Sequence, residues 1–292
     1  SPEMAVNDRV FKKVQEFNYS WIPTPQISLF PDKPSADTLY KLASGDLTIF
    51  FRNKRVSSLI LSAVTRRADG LLEESQDLHN KDKYWFTVMD AETFGHHRIG
   101  HEKLLFDIMS HDFFEPTLAT DLMGIDLPEE KVDITASTWT NEEQDFWLNK
   151  EDDVVETNSF ILWKDPTNPI HNLQWELTDF VIKKVEEYKN YDGFEDARRK
   201  LDKAIASDQY WWASAKPWWS LEMIEQGAFA LKSVLKAFNS SNDVSIKQAQ
   251  QKAEELYRKI LDKAFEWQRE GVIRKKHLEN SATHMKGSFK KR

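Results

Sequence analysis

Between Asn7 and Ser110 the apolar residues change period at short intervals, and this alternation restricts the fold more than any other feature of the chain. Asn7 to Tyr19 has helical spacing, with Val6, Val10, Val14 and Phe17 on one face and charges on the other. "YSWIPT" (Tyr19 to Thr24) predicts a short strand stopped by Pro23 and Pro25, and the prolines of "SLFPDKPSAD" mark a loop. "DLTIFFRN" (Asp46 to Asn53) is rich in β-branched and aromatic residues and predicts a second strand. A helix over Val56 to Glu74, a third strand at "YWFTVM" (Tyr84 to Met89) and a helix over Ile99 to Ser110 follow. Strand, helix, strand, helix in this order implies a parallel sheet.

Periodicity weakens from Asp112 to about Pro169, where acidic patches such as "NKEDDVVE" stand. This stretch reads as a long excursion above the sheet. Helical spacing then returns. Ile170, Leu173, Leu177, Phe180, Val181 and Val185 share a face, and helices are expected over Phe194–Ile205, Trp218–Phe238 and Val244–Glu270. The last should turn Ala249, Ala253, Leu256, Ile260 and Phe265 inward. The tail after Ile273 is basic. The expected segments are therefore 1–111 (β/α), 112–169 (irregular), 170–273 (helical) and 274–292 (a flexible tail).

Composition narrows the function. With 40% hydrophobic and 30% charged residues the chain can pack a core. A net charge of -8 argues against a general nucleic-acid binder, and no apolar run reaches the roughly 18 residues of a membrane span. The opening "SPEMAVNDRV" does not read as a secretion signal, and zero cysteines excludes disulfides and thiolate metal sites, so a cytoplasmic location is expected. The 11 tryptophans cluster at Trp139, Trp147, Trp163 and Trp175, then at Trp211, Trp212, Trp218 and Trp219. Either they build an aromatic core, or they line a wet cleft with flat apolar faces, as carbohydrate sites do.

The third expected strand ends in "DAETFGHH". Parallel strands deliver functional groups at their carboxyl ends, so Asp90, with Glu92 on the same face, reads as a carboxylate brought to a site. The plainer reading is that Asp90 caps the next turn. Gly95 permits a sharp turn. The histidines also have two readings. His97 and His101 are four apart, a metal-binding spacing on a helix face, and with Asp90 they resemble a metal-dependent deacetylase site. Alternatively His96 and His97 are hydrogen-bond donors near a substrate, or surface residues. Gly100 weakens a helix across the pair, so no metal and no other cofactor is assigned.

"MDAETFGHH" resembles the motif that ends the last catalytic strand of glycoside hydrolase family 57, a family of (β/α)7-barrel enzymes acting on α-glucans. "SPEMAVN" is similar to the end of that family's nucleophile motif, "IFFRNKRVSSLI" to its segment with an arginine before a serine pair (here Arg52 and Ser57), and "SDQYWWASAKPWW" to its polar-aromatic motif in the helical region. Ala91 stands where the family has glycine, and the histidine pair after Gly95 also departs from its well-studied members.

The resemblance implies a partial (β/α)7 barrel, later strands only, followed by an α-helical bundle region. It places the nucleophile on Glu3 and the general acid/base on Asp90, as in a retaining hydrolase or glucanotransferase. Asp90 then needs a proton near neutral pH, which burial and a nearby anion favour. Glu92 would position Asp90 or bind a sugar hydroxyl. Arg52 would hold the nucleophile ionised, or else is a surface arginine at a strand end. Asp208 and Gln209 would add polar contacts, and Trp211, Trp212, Trp218 and Trp219 would stack on sugar rings. The earlier strands would come from an amino-terminal half of the same barrel. The other readings are the metal-dependent polysaccharide deacetylase and a non-catalytic glucan-binding remnant.

Overall fold

The computed structural model describes residues 2–78, 83–139, 160–215, 218–239 and 243–276. Trp147, the acidic run 149–156, Lys216, Pro217 and most of the basic tail lie outside the described residues. The chain divides into two units, 1–159 and 160–292.

In the first unit α1 (Asp8–Glu16) is capped by Asn7, whose side chain accepts from Val10 N. Its buried residue is Phe11, while Phe17, expected on the apolar face, is 73% exposed past the helix end. The sheet is built from β1 (Trp21–Pro25), β2 (Leu39–Leu42), β3 (Thr48–Arg52) and β4 (Glu129–Val132), in the order β1-β3-β2-β4. It is mixed and open. β1 runs parallel to β3, β2 antiparallel to β3, and β4 parallel to β2. Two of these strands escape the sequence reading. β2 forms a hairpin with β3 across Ala43–Asp46, closed by Leu42 N to Leu47 O and Gly45 N to Leu42 O. β4 comes from the stretch read as irregular.

β3 is buried on both faces. Ile49 and Phe51 enter one cluster with Phe11, Ile22, Tyr40 and Leu42, and Phe50 enters another with Leu39 and Leu122. At β1, Ser20 O accepts from Thr48 N. By strand alternation Ile22 and Thr24 also turn their backbone groups toward β3, while Trp21, Pro23 and Pro25 turn theirs to the outer edge. Two of those three outer positions have no N–H, which is where strand prolines are tolerated.

The expected third strand does not form. Both sides of β3 are already taken, by β1 and β2, so Tyr84–Met89 cannot pair with it. The segment stays extended and alternates between two cores. Tyr84 and Phe86 pack on Phe50, with Phe86 stacked at 4.7 Å, and Trp85 and Met89 pack on the cluster of Val56, Leu59 and Leu104. The single helix expected over Val56–Glu74 is two, α2 (Lys54–Ser62) and α3 (Ala68–Glu74). Ser62 breaks it: its hydroxyl bonds Leu59 O and accepts from Val64 N, and Ala63 turns left-handed at φ 55°. Helices α4 (Glu102–Ser110) and α5 (Ala119–Leu122) complete this unit.

The second unit is helical: α6 (Pro169–Glu187), α7 (Phe194–Ala204), α8 (Asp208–Trp211), α9 (Leu221–Val234) and α10 (Val244–Arg269). Asn168, Ser220 and Asp243 cap α6, α9 and α10, and Pro169 takes the first turn of α6, where no N–H partner is needed. The core combines Leu177, Val181 and Val185 with Leu201, Ile224, Leu231, Ala253, Leu256 and Ile260. On α10 the inward stripe ends in Ala264 and Trp267. Phe265, expected inward, lies one residue (about 100°) further round and is 47% exposed.

Candidate functional site

The amino-terminal turn, Pro2–Met4, puts two non-glycine residues in the left-handed region, Glu3 at φ 57° and Met4 at φ 47°. Such conformations are costly and persist where the surroundings hold them. Here residues 137–139 do so. Val6 and Ser137 exchange both backbone hydrogen bonds, at 2.9 and 3.1 Å. Glu3 O accepts from Thr138 Oγ1 at 2.6 Å and from Trp139 N at 3.2 Å. Glu3 Oε2 accepts from the indole Nε1 of Trp139 at 2.6 Å.

Arg52 ends β3 and is only 8% exposed, so it is not a surface arginine. Its guanidinium lies 5.2 Å from the centre of the Trp139 ring. Its Nε donates to Val88 O at 2.8 Å. Asn53 N donates to Phe86 O at 2.7 Å, and the buried Ser57 hydroxyl accepts from Val88 N at 3.2 Å. These bonds replace the missing ladder and fix the segment two residues before Asp90. Arg52 thus touches the ring that holds Glu3 and the backbone that leads to Asp90.

Asp90 precedes a 3-10 turn over Ala91–Thr93 and accepts from Thr93 N through its backbone oxygen. Its side chain makes no capping bond, so the capping role is not the one observed. Asp90 lies at the surface, yet the protein around its carboxyl desolvates it enough to raise it above the usual carboxylate value. The charge of Glu92 pushes the same way, while His97 and Arg52 pull against it. A carboxyl shifted in this direction holds a proton at higher pH than an ordinary aspartate.

Gly95, at φ 106°, reverses the loop, and both His96 N and His97 N donate to Glu92 O. His97 Nε2 lies 3.4 Å from Glu92 Oε1, both groups well exposed, and the His96 ring meets His97 edge-on at 5.1 Å. His97 and His101 do not share a helix face. Gly100 takes φ 83° and α4 begins only at Glu102. His101 is buried with its Nε2 on Ile60 O at 2.6 Å. Among the described residues no group of three or more His, Cys, Asp or Glu is placed to hold a metal ion.

In the second unit, Trp212 and Trp218 form an edge-to-face pair at 5.4 Å, with Trp218 43% exposed. Trp219 donates to Gln268 Oε1 at 2.9 Å and stacks on Trp267. Trp211 is half-buried, Asp208 is exposed at the start of α8, and Gln209 is buried against Gly227.

Residues 1–122 match the sequence profile of glycosyl hydrolase family 57. The family 57 match takes in Glu3, Arg52, Asp90, Glu92 and both histidines of the loop, and ends before Trp139. A solved structure, that of the novel alpha-amylase AmyC from Thermotoga maritima, is similar at 11% identity, covering 96% of this chain, with a TM-score of 0.43. The chain spans 62% of that protein's length. No curated protein matches the chain. No described helix is long and apolar enough to cross a membrane.

In the sequence Trp139 stands only as one of many tryptophans. Nothing local marks it, because its partner Glu3 lies 136 residues away in the chain.

Proposed function

We propose that this chain carries the two catalytic carboxylates of a retaining glycoside hydrolase or glucanotransferase acting on α-glucans, with Glu3 as nucleophile and Asp90 as general acid/base. The Glu3 carboxylate attacks the anomeric carbon, the bond to the departing sugar breaks, and the Asp90 proton passes to the departing oxygen. Water or a sugar hydroxyl then gives its proton to Asp90 and displaces Glu3. Desolvation, and after it the charge of Glu92, raise Asp90, the direction a general acid needs.

The observation that carries the reading is the double attachment of Arg52, to the Trp139 ring beside Glu3 and to Val88 before Asp90. It ties together two acidic residues far apart in the chain within the segment that matches family 57. The choice of an α-glucan follows the likeness of "MDAETFGHH" and "SPEMAVN" to that family's motifs. In the second unit, Trp212 and Trp218 offer aromatic faces for sugar rings. Because the four-stranded sheet is open, an amino-terminal half of the same barrel is proposed as its partner.

The test is Asp90→Asn in the full protein. Turnover of maltooligosaccharides should fall roughly 10²–10⁴-fold, with binding retained. Undiminished turnover would remove Asp90 from the mechanism.

A further inference from the structure

We infer that Trp139 is a positioning residue for Glu3, orienting the carboxyl and favouring its ionised form through the indole N–H. This rests on the reading of Glu3 as nucleophile and adds a residue beyond the segment that matches family 57.

Four observations carry it. At 2.6 Å from Nε1 to Oε2 the indole N–H donates directly to the carboxyl, a bond that strengthens when the acceptor is ionised. Three further bonds from Thr138, Trp139 and Ser137 reach the backbone of Glu3 and Val6, so the donor and the carboxylate are held by one clamp. The clamp sustains a left-handed glutamate, and a conformation of that kind survives where several contacts over-determine it. Arg52, over the indole face, adds positive charge beside the ring and limits its swing. A nucleophile must present its oxygen along a defined line, and a donor fixed on the neighbouring atom restricts rotation of the carboxyl. A donor also stabilises the charged form over the neutral one.

The experiment follows the Trp139 indole N–H resonance through a pH titration of the wild-type protein and of Glu3→Gln, and pairs it with kinetics of Trp139→Phe. Phenylalanine keeps an aromatic face for Arg52 and removes the N–H. The expected results are an indole resonance that titrates in the wild type and not in Glu3→Gln, and a kcat reduced roughly 10- to 100-fold in Trp139→Phe. KM should stay within about two-fold, and the acidic limb of the pH profile should move up by about one unit. An indole resonance indifferent to pH and to Glu3→Gln overturns the inference. So does a Trp139→Phe variant whose limb and kcat are unchanged while only its Tm drops. If that variant does not fold, the titration of the other two proteins decides. Failure of the glycosidase reading is separate: it shows as a wild-type protein that does not turn over maltooligosaccharides, and the indole titration then still decides whether Trp139 holds the Glu3 carboxyl.

Discussion

Arg52 gives its Nε–H to the carbonyl oxygen of Val88 at 2.8 Å, from a side chain almost wholly withdrawn from water. The same guanidinium covers the Trp139 ring. A planar fork can do both at once; an ammonium on a flexible stem cannot. Arg52→Lys should therefore lose about 1 kcal/mol of stability, the cost of a lost hydrogen bond to a part-buried carbonyl. Urea denaturation measures it, and a midpoint equal to that of the wild type would show that Val88 does not depend on the guanidinium.

Asp90 has a second consequence. Its folded-state affinity for protons exceeds that of an ordinary aspartate, so the native state binds more protons than the unfolded state between the two values. Stability from this group is complete below the unfolded value and is lost as pH rises through the folded one. At neutral pH, where the aspartate of the unfolded chain is ionised, this raised affinity is thus a net cost. Asp90→Asn should raise Tm at pH 7, with the difference closing in acid. Thermal melts across pH report this, and a lower Tm at pH 7 in the variant would reverse the sign.

Among the described residues, periodicity in the sequence locates most helices and two of the four strands, because each of those elements carries its own burial pattern. It fails where a long-range competitor decides the outcome. Tyr84–Met89 alternates like a strand and is extended like one, but β2 occupies the place beside β3 that it would need. The Leu-Tyr-Lys-Leu of β2, just before a turn containing Gly45, is a hairpin signal too short to stand out by period alone. In the candidate site, the carboxylates and Arg52 stand out through motifs. The Trp139 contact does not, since a pair separated by most of the unit leaves no local pattern.

Gly227 lies within α9, where exchange for alanine ordinarily gains about 1 kcal/mol of helix propensity. A Cβ there would sit 2.3 Å from Cβ of Gln209, which is itself buried. Overpacking of this kind costs about 1–3 kcal/mol, so Gly227→Ala should destabilise the helical unit and disturb α8. Calorimetry of the variant provides the check; a higher Tm would mean that Gln209 moves aside freely.

Trapping the glycosyl-enzyme intermediate puts the pairing of Glu3 with Asp90 to its sharpest test. A fluorinated α-glucosyl fluoride that forms the intermediate quickly and releases it slowly is incubated with the full protein, which is then digested and mapped by mass spectrometry. One added glycosyl group is expected, on the peptide containing Glu3, persisting longer in Asp90→Asn, which lacks the base for the release step. Label on a different carboxylate, or turnover of the substrate with no labelled peptide, would refute the assignment.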